Sequence, residues 1–298
     1  NLYNKIYTLK VLVGYMVKIV VGCGENKNVI LAQKALSKNE DIEIELAYSD
    51  EELIFAMEDN TIDAVVRGSL KSSKVLKNIK NLNKGMSVNR ASFIRFNNEI
   101  HEDIKDNIDL NYNGFLLGPV GIDEGNNIDE KFQLILQSVK FMLKINKTPK
   151  IAILAGGRKE DFGRSPEIDR SIKDSEILVK KINDFFSDKE SNPAYNAFFS
   201  FNSSKNNLNN ISTNLNRLSI KNYYILIEKA IADKNNIIIA PDGINGNIIF
   251  RTLVLINSWE SFGAIALGSE KIFIDTSRDQ SEKGYLRALT FAYNLANK

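Results

Sequence analysis

Four short apolar runs in this chain break off into turns built from glycine and polar or charged side chains. Val20-Val21 runs into Gly22-Cys23-Gly24-Glu25, and Ala64–Val66 into Arg67-Gly68-Ser69. Ile153-Leu154 runs into Gly156-Gly157-Arg158, and Ile239-Ala240 into Pro241-Asp242-Gly243. A junction repeated in this way constrains the fold strongly. Short buried strand, turn and amphipathic helix in alternation predict an α/β chain with a mostly parallel sheet and helices on both faces. In open sheets of this kind ligands sit at the carboxyl ends of the strands, which is where these turns fall.

The pattern between the junctions is readable in most places. Helices are expected from about Asn28 to Leu36, from Asp50 to Met57 with Asp50 as N-cap, and from Asp129 to Leu143. Phe132, Ile135, Leu136, Val139 and Met142 give the last of these its helical spacing. Further helices are expected over Arg164–Ile182, Tyr224–Ile231, Asn247–Ile256 and Tyr285–Leu295. Strands are expected at Ile42–Tyr48, Ser92–Phe96, Phe115–Leu117, Lys150–Leu154, Ala264–Leu267 and Lys271–Ile274. Pro149 stands just before a strand, so the domain boundary is expected there. That gives residues 1–147 as a first α/β domain, completed by a C-terminal helix at 283–298, and 148–282 as a second. Asn183–Asn216 is rich in asparagine and has no clear period; its aromatic cluster Ala197–Phe201 reads as core or interface.

Composition removes whole classes of function. One cysteine, Cys23, leaves no internal disulfide and no cysteine metal cluster. One histidine, His101, excludes a multi-histidine zinc site and disfavours a serine–histidine triad. No metal is expected. A formal net charge of +2 gives no basic field for nucleic acid, so anion recognition has to be local. No apolar run approaches the roughly 18 residues that span a bilayer. The first sixteen residues lack a small-residue cleavage pattern, and Met16 would serve as a natural start, so a cytoplasmic protein is expected.

Each junction carries its own chemistry. Gly22-Cys23-Gly24 lacks the third glycine and the acidic partner of a dinucleotide fingerprint and reads as a tight turn, with Cys23 a small buried residue. Arg67-Gly68-Ser69 would either present donors to an anion or pair Arg67 with a carboxylate on a neighbouring loop. Gly156, Gly157, Arg158 and Arg164 would let phosphate or carboxylate approach the backbone, or form a solvated surface turn. The fourth junction is the most informative. Pro241 cannot continue a central strand, Asp242-Gly243 turns the chain, and Gly246-Asn247 is expected to open a helix whose bare N–H groups cradle an anion. Asp275-Thr276-Ser277-Arg278 follows at another strand end.

Two of these segments, Pro241–Asn247 and Ile274–Arg278, resemble the paired PD-N-GN and ND-SR motifs of the phosphate acetyl- and butyryltransferases. Asp63–Leu70 resembles a first-domain segment of the same enzymes. A closer resemblance is to the archaeal MtxX group, the methyltransferase-related proteins also called methanogenesis marker protein 4. It rests on Gly118–Gly125, Ile153–Arg164, Ile239–Leu253 and Phe273–Arg278 in that order, and covers the chain from about Val17 onward.

The resemblance implies two isocitrate-dehydrogenase-like domains with an active cleft between them, and a homodimer. It implies an acyl or related group moved between coenzyme A and phosphate, with no tightly bound cofactor. Ser277 and Arg278 would be the catalytic pair, gripping phosphate and stabilising the oxyanion, with Asn247 at the same site. Arg67, Gly68, Ser69, Gly156, Gly157, Arg158, Arg164, Asp242, Gly243, Gly246 and Asp275 would complete the ligand site. The chain departs from the acyltransferase pattern at one place: where those enzymes carry an aspartate base, it has Gly284, with Asp279 and Glu282 in the same turn but out of register. A non-catalytic protein that binds a phosphorylated ligand or a methyltransferase subunit is therefore the second reading.

Overall fold

A computed structural model describes residues 15–82, 87–96, 112–187, 195–196 and 205–297. His101 and the aromatic cluster at 197–201 lie outside them. In chain order the elements are β1 (Val17–Gly22), α1 (Lys27–Leu36), β2 (Ile42–Ala47), α2 (Asp50–Glu58), β3 (Ala64–Val66), α3 (Ser72–Leu82) and β4 (Asn89–Arg95). Then come β5 (Gly114–Gly118), α4 (Ile128–Lys144), β6 (Lys150–Leu154), α5 (Pro166–Ser187), α6 (Lys205–Asn216), β7 (Ser219–Tyr224), α7 (Ile227–Ala232) and β8 (Ile237–Ile239). The chain closes with α8 (Gly243–Phe250), which runs on as a π-helical stretch over Arg251–Ile256, then β9 (Ser261–Leu267), β10 (Ile272–Asp275) and α9 (Glu282–Ala296).

The chain divides into two compact units, residues 1–113 with 259–298 and residues 114–258. The break expected at Pro149 is instead a connection inside the second unit. Its cause is β5, which pairs in parallel with β8, so that α4 packs on α5 and β8 and stays with the strands that follow it.

In the first unit the strand order is β2-β1-β3-β10-β9-β4. The first four strands run parallel, and β9 runs antiparallel to both β10 and β4. One face of this sheet is covered by α2 and α3, where Leu53, Met57, Val75 and Ile79 close over Val20, Val65 and Phe273. The other face receives α9. Phe291 from that helix stacks on Phe93 of β4 at 5.3 Å, and Phe262 of β9 meets Phe93 edge-on at 5.8 Å. Burial of several such rings, each worth roughly 2 kcal/mol or more, anchors the C-terminal helix to the sheet.

The second unit is the all-parallel set β5-β8-β6-β7. The strands Phe115–Leu117, Ile151–Leu154 and Ile237–Ile239 are buried along their whole length, as parallel strands covered on both faces must be. Against them lies α4, whose Ile135, Val139 and Met142 are fully buried.

Several local expectations change. Ser49, not Asp50, caps α2, its hydroxyl accepting from Glu52 N–H; Asp50 is already the first helical residue. Tyr224 ends strand β7 and does not begin a helix; the run Ser219–Tyr224 sets Lys221 next to Asn222 and Tyr223 next to Tyr224, so no strand alternation marks it. The most consequential change is at α8, which begins at Gly243, four residues before the expected start.

Candidate functional site

In the first unit the carboxyl ends of β1, β3 and β10 converge. Because β3 and β10 run side by side in parallel, Arg67 and Asp275 leave the sheet at the same level. Arg67 is buried and spends its guanidinium inside the protein. Nε pairs with the Asp275 carboxylate, Nη1 donates to the Leu70 carbonyl at 2.6 Å, and Nη2 donates to the Thr276 carbonyl. The second oxygen of Asp275 takes Nη1 of Arg90 from β4 at 2.9 Å. One carboxylate thus holds two arginines from two strands. Of the two readings open for Arg67, carboxylate pairing is the geometry observed.

Gly68 and Gly22 let the turns after β3 and β1 press together. A Cβ on Gly68, whose φ is +62°, would collide with the Gly22 carbonyl oxygen, and one on Gly22 would collide with the Arg67 carbonyl. The turns are then stitched: Ser69 N–H donates to Gly22 O at 3.0 Å, Ser69 Oγ donates to Cys23 O, and Thr276 Oγ1 donates to Gly68 O at 2.7 Å. Ser69 therefore serves the turn. Cys23 is fully buried, and burial pushes its thiol above the ordinary range, which suits a packed side chain and not a nucleophile.

The loop after Asp275 is held by its carbonyls. Tyr285, fully buried at the start of α9, places its hydroxyl 2.6 Å from Arg278 O and 3.2 Å from Ser277 O. Asn26 Nδ2 reaches Arg278 O at 3.3 Å, and Asn28 Nδ2 reaches Gln280 O at 3.2 Å. With the carbonyls turned inward, the backbone N–H groups of Ser277, Arg278 and Asp279 meet no acceptor among the described residues, while that of Gln280 faces the Tyr285 hydroxyl. The side chains of Ser277, half-buried, and Arg278, exposed, make no hydrogen bond or ion pair there either. A row of unspent N–H groups beside a hydroxyl and a guanidinium is an anion-binding arrangement.

Gly284 lies one turn further on. A Cβ there would collide with the side-chain amide of Gln280, so that amide lies over the position. Asp279 and Glu282 are exposed.

In the second unit the Pro241–Asn247 segment does something other than expected. Asp242 is the N-cap of α8, its carboxylate accepting from Asn245 N–H and Asn245 Nδ2, both at 2.8 Å. Gly243 N–H donates to Glu124 O at 3.0 Å, and Asn247 Nδ2 donates to Val120 O at 3.0 Å. A Cβ on Gly243 would collide with Gly121 O, and one on Gly246 with Pro119 O. Gly243 opens the helix and Gly246 lies inside its first turn. They are the flat side of its first turns, on which the loop 119–124 lies backbone to backbone. Gly243 N–H and Asn245 N–H, which bare would have formed a cradle, are spent on that loop and on the cap. Beneath the turn, the nearly buried Lys131 donates to Pro241 O at 2.9 Å; burial pulls its ammonium pKa down, and Asp174, Asp242 and Glu130 oppose the shift.

The third junction is organised by carboxylates. Asp161 accepts from Arg158 N–H at 2.8 Å and pairs with Arg164 Nε at 3.1 Å, while Gly163 N–H donates to Asp169 at 2.6 Å. Gly156 N–H donates to Ser171 Oγ at 2.8 Å, and a Cβ on Gly157 would collide with Ile168. The Arg158 side chain is exposed and unengaged among the described residues. No group of three or more His, Cys, Asp or Glu residues there is arranged to hold a metal ion.

Sequence reasoning missed Arg90, Tyr285, Asn26, Asn28 and Gln280. Arg90 left one signal, a cation inside the strand Asn89–Arg95, where a partner is obligatory. Tyr285, Asn26 and Asn28 act on backbone carbonyls and leave none, and the Gln280 amide over Gly284 leaves none either.

Comparison with known proteins places the chain. It is 32% identical over 284 residues to a protein of Methanocaldococcus jannaschii named an uncharacterized methyltransferase, covering 93% of this chain and 97% of that one. It belongs to that family of methanogen proteins. Other family members carry the name putative methyltransferase mtx subunit X. Those of Methanosarcina barkeri and Methanosarcina mazei are 29% and 31% identical, over 79% and 73% of this chain and 72% and 61% of their own lengths. No family model matches the chain. Among solved structures, the family fold is similar to a branched-chain phosphotransacylase from Enterococcus faecalis, with a TM-score of 0.61, 14% identity and 94% and 99% of the two chains covered. It is similar also to the EutD phosphotransacetylase from Staphylococcus aureus, with a TM-score of 0.58, 14% identity and 99% of each chain covered. The α/β fold is therefore that of the phosphotransacylases. No described helix is long and apolar enough to cross a membrane.

Proposed function

We propose that this chain binds a phosphoryl group on the Ser277–Gln280 loop and transfers an acyl or related group between phosphate and coenzyme A. The observation that carries the reading is the loop's polarity. Its carbonyls are drawn inward by Tyr285, Asn26 and Asn28, and the N–H groups of Ser277, Arg278 and Asp279 face no acceptor among the described residues, beside the unengaged Ser277 hydroxyl and Arg278 guanidinium. Attack of a thiolate on an acyl phosphate builds charge on the carbonyl oxygen and releases phosphate. The arginine fork would grip the phosphate, and the hydroxyl with the backbone donors would stabilise the oxyanion. The phosphotransacylase fold supports the same class of ligand; fold alone does not fix the reaction.

The second reading, a protein that binds the phosphoryl ligand or a methyltransferase subunit without catalysis, is favoured by Gly284. The Gln280 amide lies over that position, and an amide does not take a proton from a thiol.

The deciding experiment measures acyl-phosphate formation from acetyl- and butyryl-coenzyme A with phosphate, alongside phosphate binding. Turnover that falls at least a hundredfold in Arg278→Ala supports the transferase. Phosphate binding without turnover, lost in Arg278→Ala, supports the binding protein. Arg278→Ala without effect on either overturns the site.

A further inference from the structure

Over residues 39–66 the chain carries ten carboxylates and no lysine or arginine, although its formal net charge is +2. The fold gathers this segment on one side of the first unit, where β2 is the edge strand and α2 lies beside it. Because α2 and α3 close over the inner strands, the flank of α2 above β2 is left as an open groove of about 420 Å³. Its floor is apolar, made by Val20, Leu46, Ala47, Ala56 and Ile62. Phe55 stands in it from α2, 69% exposed. Its rim is Glu45 from the strand and Glu51, Glu52 and Asp59 from the helix and its C-cap. Glu45 makes no ion pair among the described residues. Lys74 meets Glu51 at 3.4 Å with both side chains largely in solvent, which is a weak pairing.

Charge on an edge strand guards it against pairing with another strand, and that accounts for Glu43 and Glu45. It does not account for an aromatic ring standing in an apolar groove, or for the carboxylates that face it from α2. No three of these carboxylates are arranged to hold a metal ion among the described residues. The sign of the charge repels nucleic acid and anionic membrane alike. An added strand is opposed by the edge itself: Gln33 Nε2 takes Ile44 O at 3.1 Å, and Ile42 N–H is turned to Asn39 O at 3.4 Å. What the groove offers is the place that one more helix would take beside α2, with apolar contact at its floor and negative charge along its rim.

We propose that this groove receives a basic amphipathic helix of a partner protein, its apolar face on Phe55 and the floor and its cations against the carboxylate rim. The inference is independent of the phosphoryl site.

The test uses the full chain and a labelled synthetic peptide with leucines on one helical face and lysines on the other. At about 14 residues it runs past both ends of α2. Binding is read by fluorescence anisotropy at low and at physiological salt. A dissociation constant on the order of 10 μM is expected, rising with salt. Phe55→Ala and, separately, Glu45→Lys are each expected to weaken binding at least tenfold with unchanged melting. Should either fold poorly, the double variant Glu45→Gln with Glu51→Gln removes charge at constant size and is expected to weaken binding at least fivefold. A parent chain that does not bind the peptide overturns the proposal, and so does binding that survives all of these substitutions. A proline-interrupted peptide that binds as tightly would make the occupant an extended strand, and oligolysine that binds as tightly would reduce the site to charge alone. Self-association of the chain that is abolished by Phe55→Ala would make the occupant a second copy. Each of these three results overturns the partner helix.

Discussion

The Tyr285 hydroxyl lies 2.6 Å from the carbonyl oxygen of Arg278, so a fully buried phenol holds the backbone of a residue whose own side chain is exposed. Burial, the largest cause, raises the Tyr285 phenol above its ordinary value, although the backbone of Gln280 and the charge of Arg67 oppose the shift. Folding therefore favours the protonated form. Its stabilising effect is whole below pH about 10 and is lost as the pH rises through the higher folded value. Tyr285→Phe is expected to cost about 1 kcal/mol at neutral pH and to weaken phosphate binding several-fold through a loosened loop. It is also expected to remove part of the decline in stability above pH about 10. Urea titrations at pH 7 and above 10 check all but the binding, which calorimetry reads.

Asp275→Asn leaves the buried Arg67 facing an amide and withdraws the carboxylate from Arg90. Removing one member of a buried charge cluster costs about 3–5 kcal/mol, so a large drop in melting temperature is expected. Arg90→Met leaves the Arg67–Asp275 pair in place and is expected to cost less than half as much. Equal losses for the two variants would show that Asp275 is not the shared centre.

Gly68→Ala forces a methyl group against the Gly22 carbonyl at a positive φ. A loss of more than about 2 kcal/mol is expected from the combined clash and backbone strain. Ser69→Ala, which removes only the hydrogen bond to Cys23 O, is expected to cost about 1 kcal/mol. Comparing the two melting curves separates the close approach from the hydrogen bond.

Asp242→Ala strips the cap from α8 and is expected to cost about 1 kcal/mol while phosphate affinity stays within twofold of the parent. Arg278→Ala is expected to do the opposite, losing affinity with little change in melting. Loss of phosphate binding in Asp242→Ala without loss of stability would return the Pro241–Asn247 segment to the ligand site.

The alternation of apolar runs and turns carried most of the α/β architecture in the sequence, because buried parallel strands such as Ile237–Ile239 have almost no way to be anything else. The unit boundary was not legible. Pro149 looks like a break, whereas the pairing of β5 with β8 is contact between residues 121 positions apart that no local pattern records. The site was legible as residue types and illegible as directions. Glycine, asparagine and aspartate around 242–247 suit an anion cradle and a capped, tightly packed helix equally well. Only the position of the 119–124 loop, which takes up Gly243 N–H and Asn247 Nδ2, decides between them. Ser277 and Arg278 stood out by type, but Tyr285, which orients them, reads as one more core aromatic.

The bare backbones of Gly243 and Gly246 against Gly121 and Pro119 have a consequence for how this family can vary. Where two stretches of chain meet backbone to backbone, as at these two glycines, a large residue on one cannot be traded for a small one on the other, since neither has anything to shorten there. A change in either must be answered by reshaping the other, so Pro119–Glu124 and Asp242–Asn247 are expected to change together. Grafting the 242–247 turn alone into a distant relative is expected to yield insoluble protein, and moving both segments together is expected to yield a folded chain.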